Sequence, residues 1–177
     1  MDSIKQRYTK NIGSIQKELG LKNIMAVPKI TKVVISVGTG SFKDKKKNEI
    51  VADRLAKITG QKPVSKGAKK SVASFKIRQG DLVGYMVTIR GDRMYSFLNK
   101  LINVAIPRTR DFRGLDPKSV DEMGNFTMAI RENTVFPESS DEDLRDVFGM
   151  AVTIVTTAKN KKNALKFLEM IGFPFKK

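Results

Sequence analysis

Tyr85-Met86-Val87-Thr88-Ile89-Arg90 is the stretch that decides the fold. Side chains alternate across a β-strand. Tyr85, Val87 and Ile89 therefore share one face, and Met86, Thr88 and Arg90 the other. The first face is apolar and the second mixes apolar, polar and basic groups. Thr31-Lys32-Val33-Val34-Ile35-Ser36-Val37 repeats the pattern. Val33, Ile35 and Val37 point to a core, while Lys32, Val34 and Ser36 point away from it. Two such strands predict a sheet covered by helices on one side and bare on the other. The bare face presents Lys32, Ser36, Thr88 and Arg90, which suits nucleic acid. It lacks the paired exposed aromatics of an RNA-recognition-motif sheet.

Outward from these strands, Phe126, Met128 and Ile130 alternate as a third strand, and the β-branched run Ala151 to Thr157 is a fourth. Helical spacing fills the intervals. Ile4, Tyr8, Ile12 (or Asn11), Ile15 and Leu19 line one face of a helix over residues 2–19, with Gly20 as its stop. Asp44 is placed to cap a helix running to Thr59, with Val51, Leu55 and Ile58 inward. Asp92 is placed to cap another to about Val104, with Met94, Phe97, Leu98, Leu101, Ile102 and Ala105 inward. A last helix spans Asn160 to Ile171, and Phe173-Pro174-Phe175 follows its closing Gly172. No internal repeat or low-complexity linker divides the chain. The expectation is one α+β domain over residues 1–177, with a mainly antiparallel sheet, helices on one face and a projecting basic loop.

Composition narrows the function. The 177 residues include no Cys and no His. That removes disulfides, thiolate metal sites, the usual general base near neutral pH and every Ser-His triad. No apolar run approaches the ~20 residues that span a bilayer, and the start of the chain lacks the apolar core of a signal peptide. A soluble cytoplasmic protein without a cofactor is expected. The net charge is +16, and residues 1–120 hold 26 Lys and Arg against 9 Asp and Glu, compared with 8 against 9 in residues 121–177. Such a field gathers polyanions, nucleic acid before an anionic membrane surface.

Two segments concentrate the charge. Residues 61–80 carry Lys62, Lys66, Lys69, Lys70, Lys76 and Arg78 with no carboxylate among them. Small residues separate the cations, which predicts a mobile loop that orders against a polyanion. Ile106-Pro107-Arg108-Thr109-Arg110-Asp111-Phe112-Arg113-Gly114-Leu115 packs three arginines into six residues. Pro107 should end the preceding helix and Gly114 should take positive φ. Three guanidiniums at this spacing repel one another unless an anion lies beside them, and phosphate fits their planar forks. Gly38-Thr39-Gly40 with Lys45, Lys46 and Lys47 lacks the Gly-Lys-Ser/Thr of a nucleotide loop, so it is read as a turn. Glu138, Asp141, Glu142, Asp143 and Asp146 form an acidic stretch relieved by Arg145. Without EF-hand spacing, a solvated or protein-facing acidic patch is read before a metal site or a catalytic carboxylate pair. A magnesium-dependent nucleic-acid enzyme and a general basic nucleic-acid-binding module are the rival functions.

Several stretches, in order along the chain, resemble the L-five family of bacterial large-subunit ribosomal proteins. They include Val27-Pro28-Lys29-Ile30, Thr59-Gly60-Gln61-Lys62-Pro63, the run Lys70 to Gly80, and Val87-Thr88-Ile89-Arg90-Gly91-Asp92-Arg93-Met94. The arginine decapeptide, Phe136-Pro137-Glu138, Thr156-Thr157-Ala158-Lys159 and Phe173-Pro174-Phe175-Lys176 continue it to the end. The resemblance implies a non-enzymatic protein of the ribosome whose sheet face meets 5S ribosomal RNA in the central protuberance. The family's RNA-bonding polar residues fall on Gln61, Thr88 and Ser36, where Asn is usual at the last. Lys32, Arg90, Arg108, Arg110 and Arg113 are the accompanying cations. The resemblance further implies that the loop of Lys66, Lys69, Lys70, Lys76 and Arg78 approaches transfer RNA in the peptidyl site. Partners would then include large-subunit ribosomal RNA, other large-subunit proteins and the small-subunit head protein S-thirteen. Glu138, Asp141, Glu142 and Asp143 would suit that basic protein.

Overall fold

A computed structural model of the chain describes residues 3–42, 45–110, 112–139 and 147–176. Its elements run α1 (Ile4–Glu18), β1 (Ile30–Gly38), α2 (Lys45–Thr59), β2 (Val64–Gly67), β3 (Leu82–Ile89), α3 (Gly91–Lys100), α4 (Ile106–Arg108), β4 (Phe126–Ile130), β5 (Met150–Thr156) and α5 (Lys161–Ile171). The five strands form one sheet in the order β2-β3-β1-β5-β4. The α+β class and the four alternating strands agree with the sequence.

The chain groups into two units. The first comprises Met1–Val33, Arg90–Met128 and Thr153–Lys177. Here α1 starts on a polar cap shared with α3. The Ser3 N–H donates to Gln6 Oε1 at 3.0 Å, the Ile4 N–H to Asn99 Oδ1 at 2.8 Å, and Asn99 Nδ2 to Ser3 Oγ at 2.9 Å. The first two bonds satisfy donors that a helix start leaves without internal partners, and the third orients the Asn99 amide. Ile4 and Ile15 are buried, and Tyr8 meets Phe167 of α5 edge-on at 6.1 Å. Gly172 ends α5 at φ 108°. The following Phe173 and Phe175 dock edge-on against Phe126, at 6.2 and 5.3 Å.

The second unit comprises Val34–Ile89 and Ala129–Val152. Val51, Leu55 and Ile58 of α2 are buried as the spacing predicts. Ala52 and Ala56 line a cleft with Ser65 and Tyr85, which identifies the helix-covered side of β2 and β3. Arg54, three residues after Val51 and four before Ile58, is also buried on this face of α2, although its side chain is charged.

Three local expectations change. Asp92 does not occupy the cap position of α3; Arg90 does, and Asp92 lies in the first turn. There its carboxylate accepts from Lys5 Nζ at 2.6 Å, and a first-turn acid also complements the helix dipole. Pro107 does not break the helical path. Residues Leu101–Ala105 widen into a π-turn, with the Ile106 N–H reaching the Leu101 carbonyl five residues back. Pro107 thus enters at the start of the new turn α4, where its missing N–H is tolerated. Finally, β2 occupies a segment read as loop. Asp44, the expected cap of α2, lies outside the described residues.

Candidate nucleic-acid interface

Alternation sets the outward face of the second unit. β2 pairs antiparallel with β3, with Val64 opposite Met86, Ser65 opposite Tyr85 and Lys66 opposite Gly84. Directly opposed residues share a face. Since Ser65 and Tyr85 line the cleft under α2, Val64, Lys66, Met86 and Thr88 face the other way. On β1, Val33, Ile35 and Val37 are buried in alternation, which leaves Ser36 exposed between the last two. Thr88 is half-buried and Ser36 open, so both hydroxyls lie on the outward side at different depths.

Gln61 is exposed in the turn that leaves α2. Gly60 takes φ 67° there, and Thr59 Oγ1 donates to the carbonyls of Leu55 at 2.7 Å and Gln61 at 3.0 Å. The hydroxyl ties the Gln61 backbone to the helix end.

The basic segment is built as the end of a β2–β3 hairpin. A register shift falls between Lys66 and Gly67. The Ala68 N–H then donates to the Asp81 carbonyl at 2.8 Å and the Gly80 N–H to the Ala68 carbonyl at 3.0 Å. Further out, Val72 and Ile77 exchange backbone bonds of 2.9 and 3.3 Å. The Gln79 N–H donates to Ser71 Oγ at 2.9 Å, and the Arg78 N–H to Asp81 Oδ2 at 2.7 Å. Lys66, Lys69, Lys70, Lys76 and Arg78 are all exposed along it. The mobile loop expected from composition has a hydrogen-bonded scaffold of its own. Sequence reasoning missed Phe75 at its end, 74% exposed. The signal was a lone aromatic in a run of small and cationic residues.

The arginine segment belongs to the first unit, as do half-buried Lys32 and exposed Arg90. Arg108 lies on α4, and Arg108, Arg110 and Arg113 are exposed. Thr109 Oγ1 donates to the Ala105 carbonyl at 3.2 Å at one end. At the other, the Leu115 N–H donates to the Pro174 carbonyl at 2.7 Å and the Lys176 N–H to the Leu115 carbonyl at 2.9 Å. Gly114 takes φ 98°, and a Cβ there would lie 2.9 Å from the Lys176 nitrogen. The positive φ expected of Gly114 is present. Asp111, within this stretch, lies outside the described residues.

Glu138 is exposed in the short turn Pro137–Ser139, whose Ser139 is buried. Asp141, Glu142 and Asp143 lie outside the described residues, with Arg145 and Asp146. Among the described residues no three carboxylates gather closely enough to hold a metal ion. No described helix is long and apolar enough to cross a membrane.

These features define a basic α+β protein with exposed cations and outward-facing sheet hydroxyls. Residues 23–78 match the family model described as ribosomal protein L5, and residues 82–175 match the model for the C-terminus of the same ribosomal family. Proteins called large ribosomal subunit protein uL5 are similar along nearly the whole chain. The one from Desulfatibacillum aliphaticivorans is 45% identical over all of both chains. That of Thermotoga sp. strain RQ2 is 49% identical over 98% of this chain and 96% of its own. That of Natranaerobius thermophilus is 50% identical over 91% and 90%. The chain belongs to the ribosomal L5 family: it is a structural component of the large ribosomal subunit, at work in the bacterial cytoplasm, and not an enzyme.

Proposed function

We propose that this chain acts as one RNA-binding domain that holds 5S ribosomal RNA in the large subunit through its outward sheet face. The observation that carries the proposal is the common placement of Ser36, Gln61 and Thr88. All three are in the second unit, with two of them on the outward side of adjacent strands. Hydroxyl and amide groups there fix the register of the RNA, while Lys32, Arg90, Arg108, Arg110 and Arg113 neutralise phosphates and release counterions. The hairpin carrying Lys66, Lys69, Lys70, Lys76 and Arg78 meets transfer RNA in the peptidyl site. The acidic segment of Glu138, Asp141, Glu142 and Asp143 faces the basic small-subunit protein S-thirteen. Large-subunit ribosomal RNA and neighbouring large-subunit proteins complete the surroundings.

The test is competition binding of labelled 5S ribosomal RNA at physiological salt against excess transfer RNA and duplex DNA. The expected outcome is that 5S RNA survives both competitors. Thr88→Ala and Gln61→Ala should then each weaken it by about 1 kcal/mol, roughly fivefold, as loss of one hydrogen bond does. Equal competition by all three would leave a general polyanion binder and refute the 5S assignment.

A further inference from the structure

The hairpin ends in an arrangement that charge neutralisation alone does not require. Phe75 is 74% exposed, and Val72, at the start of the same turn, 39%. Ala73–Phe75 form one 3-10 turn, closed by the Lys76 N–H donating to the Ala73 carbonyl at 3.0 Å. Lys76 adopts φ 54°, ψ 34°, a left-handed conformation in which it is alone among the described non-glycine residues. A backbone of this kind is held by its surroundings. Here the Val72–Ile77 bridge and the Ser71–Gln79 bond brace it from both sides. The braced turn carries an aromatic ring out into solvent.

What such a ring meets is set by its neighbours. Lys69, Lys70, Lys76 and Arg78 are exposed along the same hairpin end, and no carboxylate occurs between residues 61 and 80. The next acid in the chain, Asp81, is already engaged by the Arg78 N–H. An apolar protein pocket would have to be ringed with acids to accept this tip. A nucleobase brings its own phosphate charge and a flat face that pairs with an aromatic ring irrespective of base identity.

We infer that Phe75 is a stacking platform for an unpaired or helix-end base of the RNA that meets the hairpin. The surrounding lysines hold the flanking phosphates, and Val72 adds apolar surface to the same turn. The inference rests on the hairpin's role as an RNA contact and adds the mode of contact. Stacking of this kind reads shape and tolerates sequence, so the hairpin recognises an accessible base face where backbone charge is also dense.

The chain contains no Trp, so Phe75→Trp introduces a sole indole reporter at the tip. The full-length protein and its variants are titrated with transfer RNA at one fixed salt concentration. Phe75→Trp is expected to bind at least as tightly as the parent, with its emission quenched on binding. Phe75→Ala and Phe75→Leu are both expected to bind about tenfold more weakly or worse. Circular dichroism checks that each variant folds, since the side chain lies outside the core. Full affinity in Phe75→Leu with unquenched Phe75→Trp would show an apolar contact without stacking and overturn the inference. Unchanged affinity in Phe75→Ala, with binding weakened by the double variant Lys69→Ala and Lys70→Ala, would also overturn it while sparing the hairpin as an electrostatic contact. If the lysine variant too bound transfer RNA normally, the hairpin's own role would fall with it.

Discussion

By the family resemblance, Ser36 stands at a position where Asn is expected. A Ser hydroxyl offers one donor and two acceptor lone pairs on a short arm, whereas Asn projects a carboxamide with donor and acceptor sides. Exposure of Ser36 on β1 leaves room for the longer side chain. Ser36→Asn is therefore expected to tighten 5S RNA binding several-fold without changing the melting temperature, measured by the same competition assay and by thermal unfolding. Gly114 is constrained in the opposite sense. Its φ of 98° and the 2.9 Å approach of a virtual Cβ to the Lys176 nitrogen leave no place for a side chain. Gly114→Ala should cost about 1–3 kcal/mol in chemical denaturation, since it adds backbone strain to a clash. It should also weaken RNA binding if Arg113 next to it is a phosphate contact. The two substitutions separate a proposed contact residue from one that shapes the loop carrying a proposed contact.

At the scale of elements, packing around the C-terminal segment and the Lys5–Asp92 link between α1 and α3 make different predictions. Phe126 is 1% exposed and meets both Phe173 and Phe175, so Phe126→Ala should cost about 3–5 kcal/mol by denaturant unfolding. The ion pair is exposed, so its effect is small and disappears in high salt. A hydrogen bond from Lys5, then its charge, holds the Asp92 carboxyl below its ordinary range. The same hydrogen bond, then the Asp92 charge, raises Lys5. The carboxyl's contribution is present above its unfolded pKa and fades as pH falls through the lower folded value. That of the ammonium is present below its unfolded pKa and fades as pH rises through the higher folded one. Unfolding of Asp92→Asn and the parent at low salt should therefore differ at neutral pH and converge in acid. Periodicity revealed β1, β3, β4, β5 and the inner faces of the long helices because burial is one-sided there. It was silent for β2, four residues that are all exposed, and for the π-turn, whose apolar residues continue a helical stripe. The outward direction of Ser36 and Thr88 was legible from alternation alone. Phe75 was not, since the turn that presents it depends on a left-handed Lys76 that no local pattern dictates.

For the whole molecule, the uneven charge distinguishes affinity from register. The first 120 residues hold 26 of the 34 Lys and Arg and half of the 18 Asp and Glu. If about six of these cations meet phosphates, 5S RNA affinity should fall roughly a thousandfold between 50 and 200 mM salt. Affinity alone cannot separate a lost phosphate contact from a lost base or sugar contact, but the slope against salt does so, because only phosphate contacts release counterions. Binding constants measured across that salt range should show Arg108→Ala, Arg110→Ala and Arg113→Ala each lowering the logarithmic slope by about 0.9 where the residue neutralises a phosphate, or about 2.7 for the triple variant. Thr88→Ala should displace the line downward and leave its slope unchanged. A parent slope much shallower than about 5 would contradict the electrostatic account. An altered slope in Thr88→Ala would instead mean that loss of the sheet hydroxyl also changes how many phosphates are met, so that affinity and register are not independent.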